Sequence, residues 1–77
     1  MMNEAIWKAM FISKIRDIIK ERHMSLKEVS SMTGLSISSI SRLLAGRSNP
    51  TVRTVLKFAY GFRIKVSNLI IFSEMFK

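Results

Sequence analysis

Apolar residues recur along the chain at spacings of three and four, and five helical segments account for them. From Asn3 to about Arg22 there is neither Pro nor Gly, and Ile6, Met10, Ile12, Ile15, Ile18, Ile19 and Arg22 predict a long amphipathic helix. The next segment opens at Ser25, a good N-cap, with Glu28 three residues on to complete a capping box. Leu26, Val29 and Met32 form its inward stripe, and Ser30 is small enough for a neighbouring helix to cross closely. Gly34 then suits a left-handed turn into Leu35 and a second cap at Ser36. A third helix runs from Ile37 to about Ala45, with Ile40, Leu43 and Leu44 inward. After Pro50, Thr51 caps a helix through Phe62 whose inward residues are Val52, Val55, Leu56, Phe58 and Ala59. The last helix begins at Val66 or Ser67 and contains Leu69, Ile70, Ile71, Phe72, Met75 and Phe76.

The third helix leaves Ile37, Ser38, Ser39, Ser41 and Arg42 outside its apolar stripe. A helix meant only for solvent usually carries long Glu and Lys side chains, because serine forms helices less well. Short side chains let a backbone come close to another surface. Serine can bond a base edge or a phosphate, and arginine can reach guanine with both arms of its fork. The plainer alternative is a serine-rich solvated face. Two short capped helices joined by a glycine turn are nevertheless the signature of a helix-turn-helix, and that points to DNA.

Residues Phe11 to Leu69 resemble the phage repressor and Cro family of helix-turn-helix transcription factors. The matching positions are Ile15, Arg16, Ile19, Ser25, Glu28, Val29, Gly34, Leu35, Ser36, Ile40, Ser41, Leu43, Gly46, Asn49, Pro50, Val55, Leu56, Phe58, Ala59, Phe62 and Leu69. The resemblance implies an all-α, compact five-helix fold like that of lambda repressor, whose second motif helix enters the major groove. Carried over by position, Ile37, Ser38, Ser39 and Arg42 touch base edges, with Ser36 and Ser41 beside them. The segment Gly46, Arg47, Ser48, Asn49 and Pro50 resembles the family loop that grips backbone phosphates, and Arg47 is its best phosphate contact. The chain departs from the family pattern at three places. Leu26 stands where glutamine is frequent, Ile37 where a polar residue is usual, and Arg63 where glycine commonly ends the fourth helix. If the backbone is left-handed at Arg63, that residue is mildly strained.

Charge strengthens the reading. The formal net charge is +8, and all five acids are Glu4, Asp17, Glu21, Glu28 and Glu74. Val29 to Ser73 therefore holds no acid but includes Arg42, Arg47, Arg53, Lys57, Arg63 and Lys65, which favours a polyanionic partner. A basic membrane-surface helix is the competing interpretation, but these cations are spread over several short elements. No run of about 20 apolar residues exists to span a bilayer, and no signal sequence opens the chain. Cysteine is absent and His23 is the sole histidine, so no disulfide, metal or cofactor is expected, and the reducing cytoplasm is the natural compartment. No nucleophile-base pattern and no phosphate-cradling glycine loop is present, so catalysis is not expected.

A chain of 77 residues makes one domain. Residues 1–10 extend it at the N-terminus, 25–45 form the helix-turn-helix, and 66–77 form a C-terminal dimerisation helix. Four successive apolar residues from Leu69 to Phe72 cover too much of a helix for one face, so Ile70, Ile71, Phe72 and Phe76 are assigned to a homodimer interface. Such a dimer would read a partly palindromic operator and recruit or exclude RNA polymerase. The tail VSNLIIFSEMF is similar to the dimer helix of restriction-modification controller proteins. The alternative function is an antitoxin that neutralises a partner toxin and regulates their shared operon, although antitoxins of the family usually append a dedicated neutralising segment.

Overall fold

The computed structural model describes residues 4–69. Five helices follow one another: α1 (Glu4–Glu21), α2 (Leu26–Thr33), α3 (Ile37–Leu44), α4 (Val52–Phe62) and α5 (Val66–Leu69). The expected starts of α2, α3 and α4 hold because they are set locally by caps. Ser25 accepts the Glu28 amide while Glu28 reaches back to the Ser25 amide at 3.0 Å. Ser36 and Thr51 cap α3 and α4 in the same manner, accepting from Ser39 and Thr54.

The core is built from Phe11, Ile15 and Ile18 of α1, Val29 of α2, Ile40 and Leu43 of α3, Val55, Phe58, Ala59 and Phe62 of α4, and Leu69 of α5. Phe11 meets Phe58 edge-on at 5.9 Å between ring centroids, and Phe58 meets Phe62 at 5.6 Å. Each such pair adds about 0.5–1.5 kcal/mol beyond the area it buries. α1 is continuous, so residues 4–10 of the expected N-terminal extension belong to its first turns. Ile15 and Ile18 of the expected stripe are buried, with Ile12 and Ile19 against the core, but at its N-terminal end the stripe lies one position over: Trp7 and Phe11 face the core, whereas Ile6 and Met10 are exposed.

Three further inward assignments are corrected. Met32 is 44% exposed, and the buried position at that end of α2 belongs to Thr33. Val52 at 77% exposure and Leu56 also face outward, because α4 has apolar residues on two faces and only one meets the core. Ser30 is half-buried and spends its hydroxyl on Leu35 O at 2.5 Å. A close helix crossing not expected from the sequence occurs at Gly61 of α4, where an added Cβ would lie 2.8 Å from Met32 O and 2.9 Å from Thr33 Cγ2. Glycine costs an α-helix about 1 kcal/mol, and the close approach of α2 is what it permits.

Left-handed residues end four of the helices or their exits: His23, Gly34, Gly46 and Arg63. Arg63 has φ 57°, as expected for a strained non-glycine there. His23, at φ 52°, closes α1 in the same way, with Met24 N–H reaching back to Ile19 O at 3.0 Å. Arg22 joins these two corners: its guanidinium donates to Phe62 O at 2.9 Å and lies 5.6 Å over the Phe62 ring. Ile70, Ile71, Phe72 and Phe76, assigned to a dimer interface, lie outside the described residues.

Candidate nucleic-acid interface

The turn between α2 and α3 is fixed by side chains as well as by glycine. Gly34 adopts φ 79° and returns its N–H to Ser30 O. Thr33 donates its hydroxyl to Val29 O at 2.8 Å and accepts Leu35 N–H at 3.2 Å, while Ser30 holds Leu35 O. Both backbone groups of Leu35 are thus satisfied from α2, which sets the direction in which α3 leaves.

α3 then buries Ile40 and Leu43 and presents Ile37, Ser38, Ser39, Ser41 and Arg42 to solvent. Ile37 is 46% exposed, so it does not pack beneath its own helix, and its side chain is available to an apolar contact such as a thymine methyl. The serines divide by what their hydroxyls already do. Ser36 accepts from Ser39 N–H and donates to Ser39 Oγ at 2.8 Å, so its proton is spent on the cap. Ser39 accepts that bond and keeps its own proton to donate. Among the described residues, Ser38 and Ser41 make no side-chain hydrogen bond, and neither do Arg42 and Arg47.

The C-terminal end of α3 is closed twice over. Gly46, at φ 76°, donates its N–H to Leu43 O, and Arg47 N–H reaches Arg42 O at 2.9 Å. This paired pattern satisfies carbonyls that the last turn would otherwise leave open. α1 supplies the remainder: Arg16 donates to Leu44 O, and the Lys8 ammonium donates to Gly46 O at 3.2 Å and to Asn49 Oδ1 at 2.9 Å. Positive charge at a helix C-terminus also complements its dipole. Pro50 is buried and anchors the far end of the loop, leaving Arg47 and Asn49 exposed and Ser48 half-buried between them.

The structure therefore gathers all nine positions assigned to DNA, from Ser36 to Asn49, on one helix and its following loop. A family model described as helix-turn-helix matches residues 15–69. The chain belongs to the helix-turn-helix family. The match is of the XRE type, the group of phage repressors and Cro, and this helix-turn-helix protein is a DNA-binding transcription regulator. No curated protein and no solved structure matches the chain. Among the described residues no helix is long and apolar enough to cross a membrane, and no cluster of His, Asp or Glu could hold a metal ion.

Sequence reasoning missed Lys8 and Arg16 as supports of this surface. Both donate to atoms of the α3 exit, 28 to 41 residues away in sequence, which no local pattern reveals.

Proposed function

We propose that the protein acts as a homodimer on a partly palindromic duplex site, with α3 in the major groove of each half-site. The observation that carries the reading is the division of polar groups just described: on α3 and its loop, Ser38, Ser41, Arg42 and Arg47 are exposed with their donors unspent, whereas the neighbouring hydroxyls of Ser30 and Thr33 are consumed internally. Ile37, Ser38, Ser39 and Arg42 read base edges, with Ser36 and Ser41 flanking them, and Arg47, Ser48 and Asn49 hold phosphates. Residues 66–77, with Ile70, Ile71, Phe72 and Phe76, form the dimer contact, which sets the two α3 helices about 34 Å apart.

Selection from a random duplex library by the purified protein, sequenced after rounds at two salt concentrations, tests this. A symmetric enriched motif with half-sites one turn apart is expected. Salt-sensitive retention with no enriched motif would reduce the protein to a non-specific DNA coat. No retention at all would move the antitoxin reading to the front.

A further inference from the structure

Lys8 stands outside the family match, on the second turn of α1, yet it contacts the loop that follows the reading helix. An ammonium offers three donors and no acceptor, so only the oxygen end of a carboxamide can face it. The 2.9 Å contact to Asn49 Oδ1 therefore fixes which way the Asn49 amide is turned. Oδ1 is occupied and the Nδ2 group, a donor, is directed away from Lys8. The second contact, 3.2 Å to Gly46 O, holds the loop at its left-handed residue, so one cation braces it at both ends.

We infer that Lys8 is a positioning residue for DNA binding: it turns Asn49 so that the loop presents amide protons, and not an amide oxygen, to the phosphate backbone. An anion needs donors, and an Asn49 free to rotate would present the repelling oxygen part of the time. The inference rests on the proposed reading in which Asn49 meets phosphate, and it gives the N-terminal turns of α1 a task in that reading. Lys8 itself acts through Asn49 and does not touch DNA.

A double-mutant cycle tests it, with binding of the full chain to its selected duplex followed by fluorescence anisotropy across a salt series. Lys8→Met should weaken binding about tenfold in the wild-type background and less than about twofold in an Asn49→Ala background, since neighbours acting as one unit are not additive. The slope of log affinity against log salt should stay unchanged in Lys8→Met, and Lys8→Arg should restore affinity to within about twofold of wild type. Additive losses would overturn the inference. So would a slope shallower by about 0.9, the mark of a lost phosphate contact. Wild-type protein that binds well while Lys8→Met binds equally well would overturn this inference alone. Wild-type protein that binds no duplex at low salt would overturn the DNA reading and this inference with it. Thermal unfolding of each variant without DNA checks that the loss is not one of folding: Lys8→Met should unfold within a few degrees of wild type.

Discussion

α2 and α3 have the same length, open on the same kind of serine cap and pack against each other, yet they use hydroxyl side chains in opposite ways. On α2, Ser30 and Thr33 turn inward and bind backbone groups of Val29 and Leu35. On α3, Ser38 and Ser41 turn outward with nothing bound among the described residues. Residue type alone therefore does not distinguish the two helices; what distinguishes them is whether the donor is already satisfied. The cations divide likewise. Lys8, Arg16 and Arg22 on or just after α1 are tied to carbonyls of other segments, while Arg42 and Arg47 remain unspent.

The contrast implies that damage to α2 unfolds the protein and damage to the α3 surface blinds it. The largest effect is expected for Gly61→Ala, whose Cβ would strike the Met32 carbonyl that α2 cannot easily move. It should lower stability toward the upper end of the ~1–3 kcal/mol typical of overpacking, read from urea unfolding. Arg42→Ala should leave unfolding unchanged and weaken binding to the selected duplex by about 1–3 kcal/mol, with relaxed preference at one base pair per half-site. Equal losses on selected and scrambled duplexes would show that Arg42 reads no base.

Thr33→Val against Ser38→Ala sharpens the comparison most directly, since each removes one hydroxyl. Thr33→Val strips Leu35 N–H of its acceptor and should cost about 1 kcal/mol of stability with base preference intact. Ser38→Ala should change stability by less than about 0.5 kcal/mol and alter preference in the selected pool. The reverse pattern would dissolve the distinction between the helices.

The smallest effect concerns the α2 cap. The Ser25 backbone N–H, helped by the Ser25 side chain, holds the Glu28 carboxylate below its ordinary value. A carboxylate depressed in the folded state adds stability that is fully present above its unfolded pKa and is lost as pH falls through the folded value. Stability should therefore decline slightly below the ordinary carboxylate range, and in Glu28→Gln that part of the pH dependence should vanish from thermal unfolding curves.

Features governed by neighbours within four residues were legible in the sequence at the caps of Ser25, Ser36 and Thr51 and the turn at Gly34, whereas the strained corner at Arg63 was legible only through the family resemblance and the one at His23 was not. The caps and the turn require only local geometry. Features set by distant chain were not legible. Ile6 and Met10 have helical spacing like Phe11, and only the positions of α3, α4 and α5 determine which side of α1 is covered. Gly61 reads as a mere weakness in a helix until α2 is laid across it. The outward α3 residues were legible for a mixed reason, since their small polar character is unusual for solvent and their spacing follows from Ile40 and Leu43. Lys8 gave no signal, because its partners are a backbone carbonyl and an amide oxygen beyond the helix-turn-helix.

The pairing of Phe11 with Phe58 and of Arg22 with Phe62 also bears on how the protein is made. A ribosome delivers α1 first, but its aromatic partner and the carbonyl that receives Arg22 come only with α4. α3 emerges between them, already capped, and packs chiefly against α2 and α1, both made before it. A nascent chain halted before Phe58 would hold every side chain assigned to DNA and still lack Phe58, Ala59, Phe62 and Leu69 of the core. A chain ending before Phe58 is therefore expected to bind duplex more weakly than the full chain.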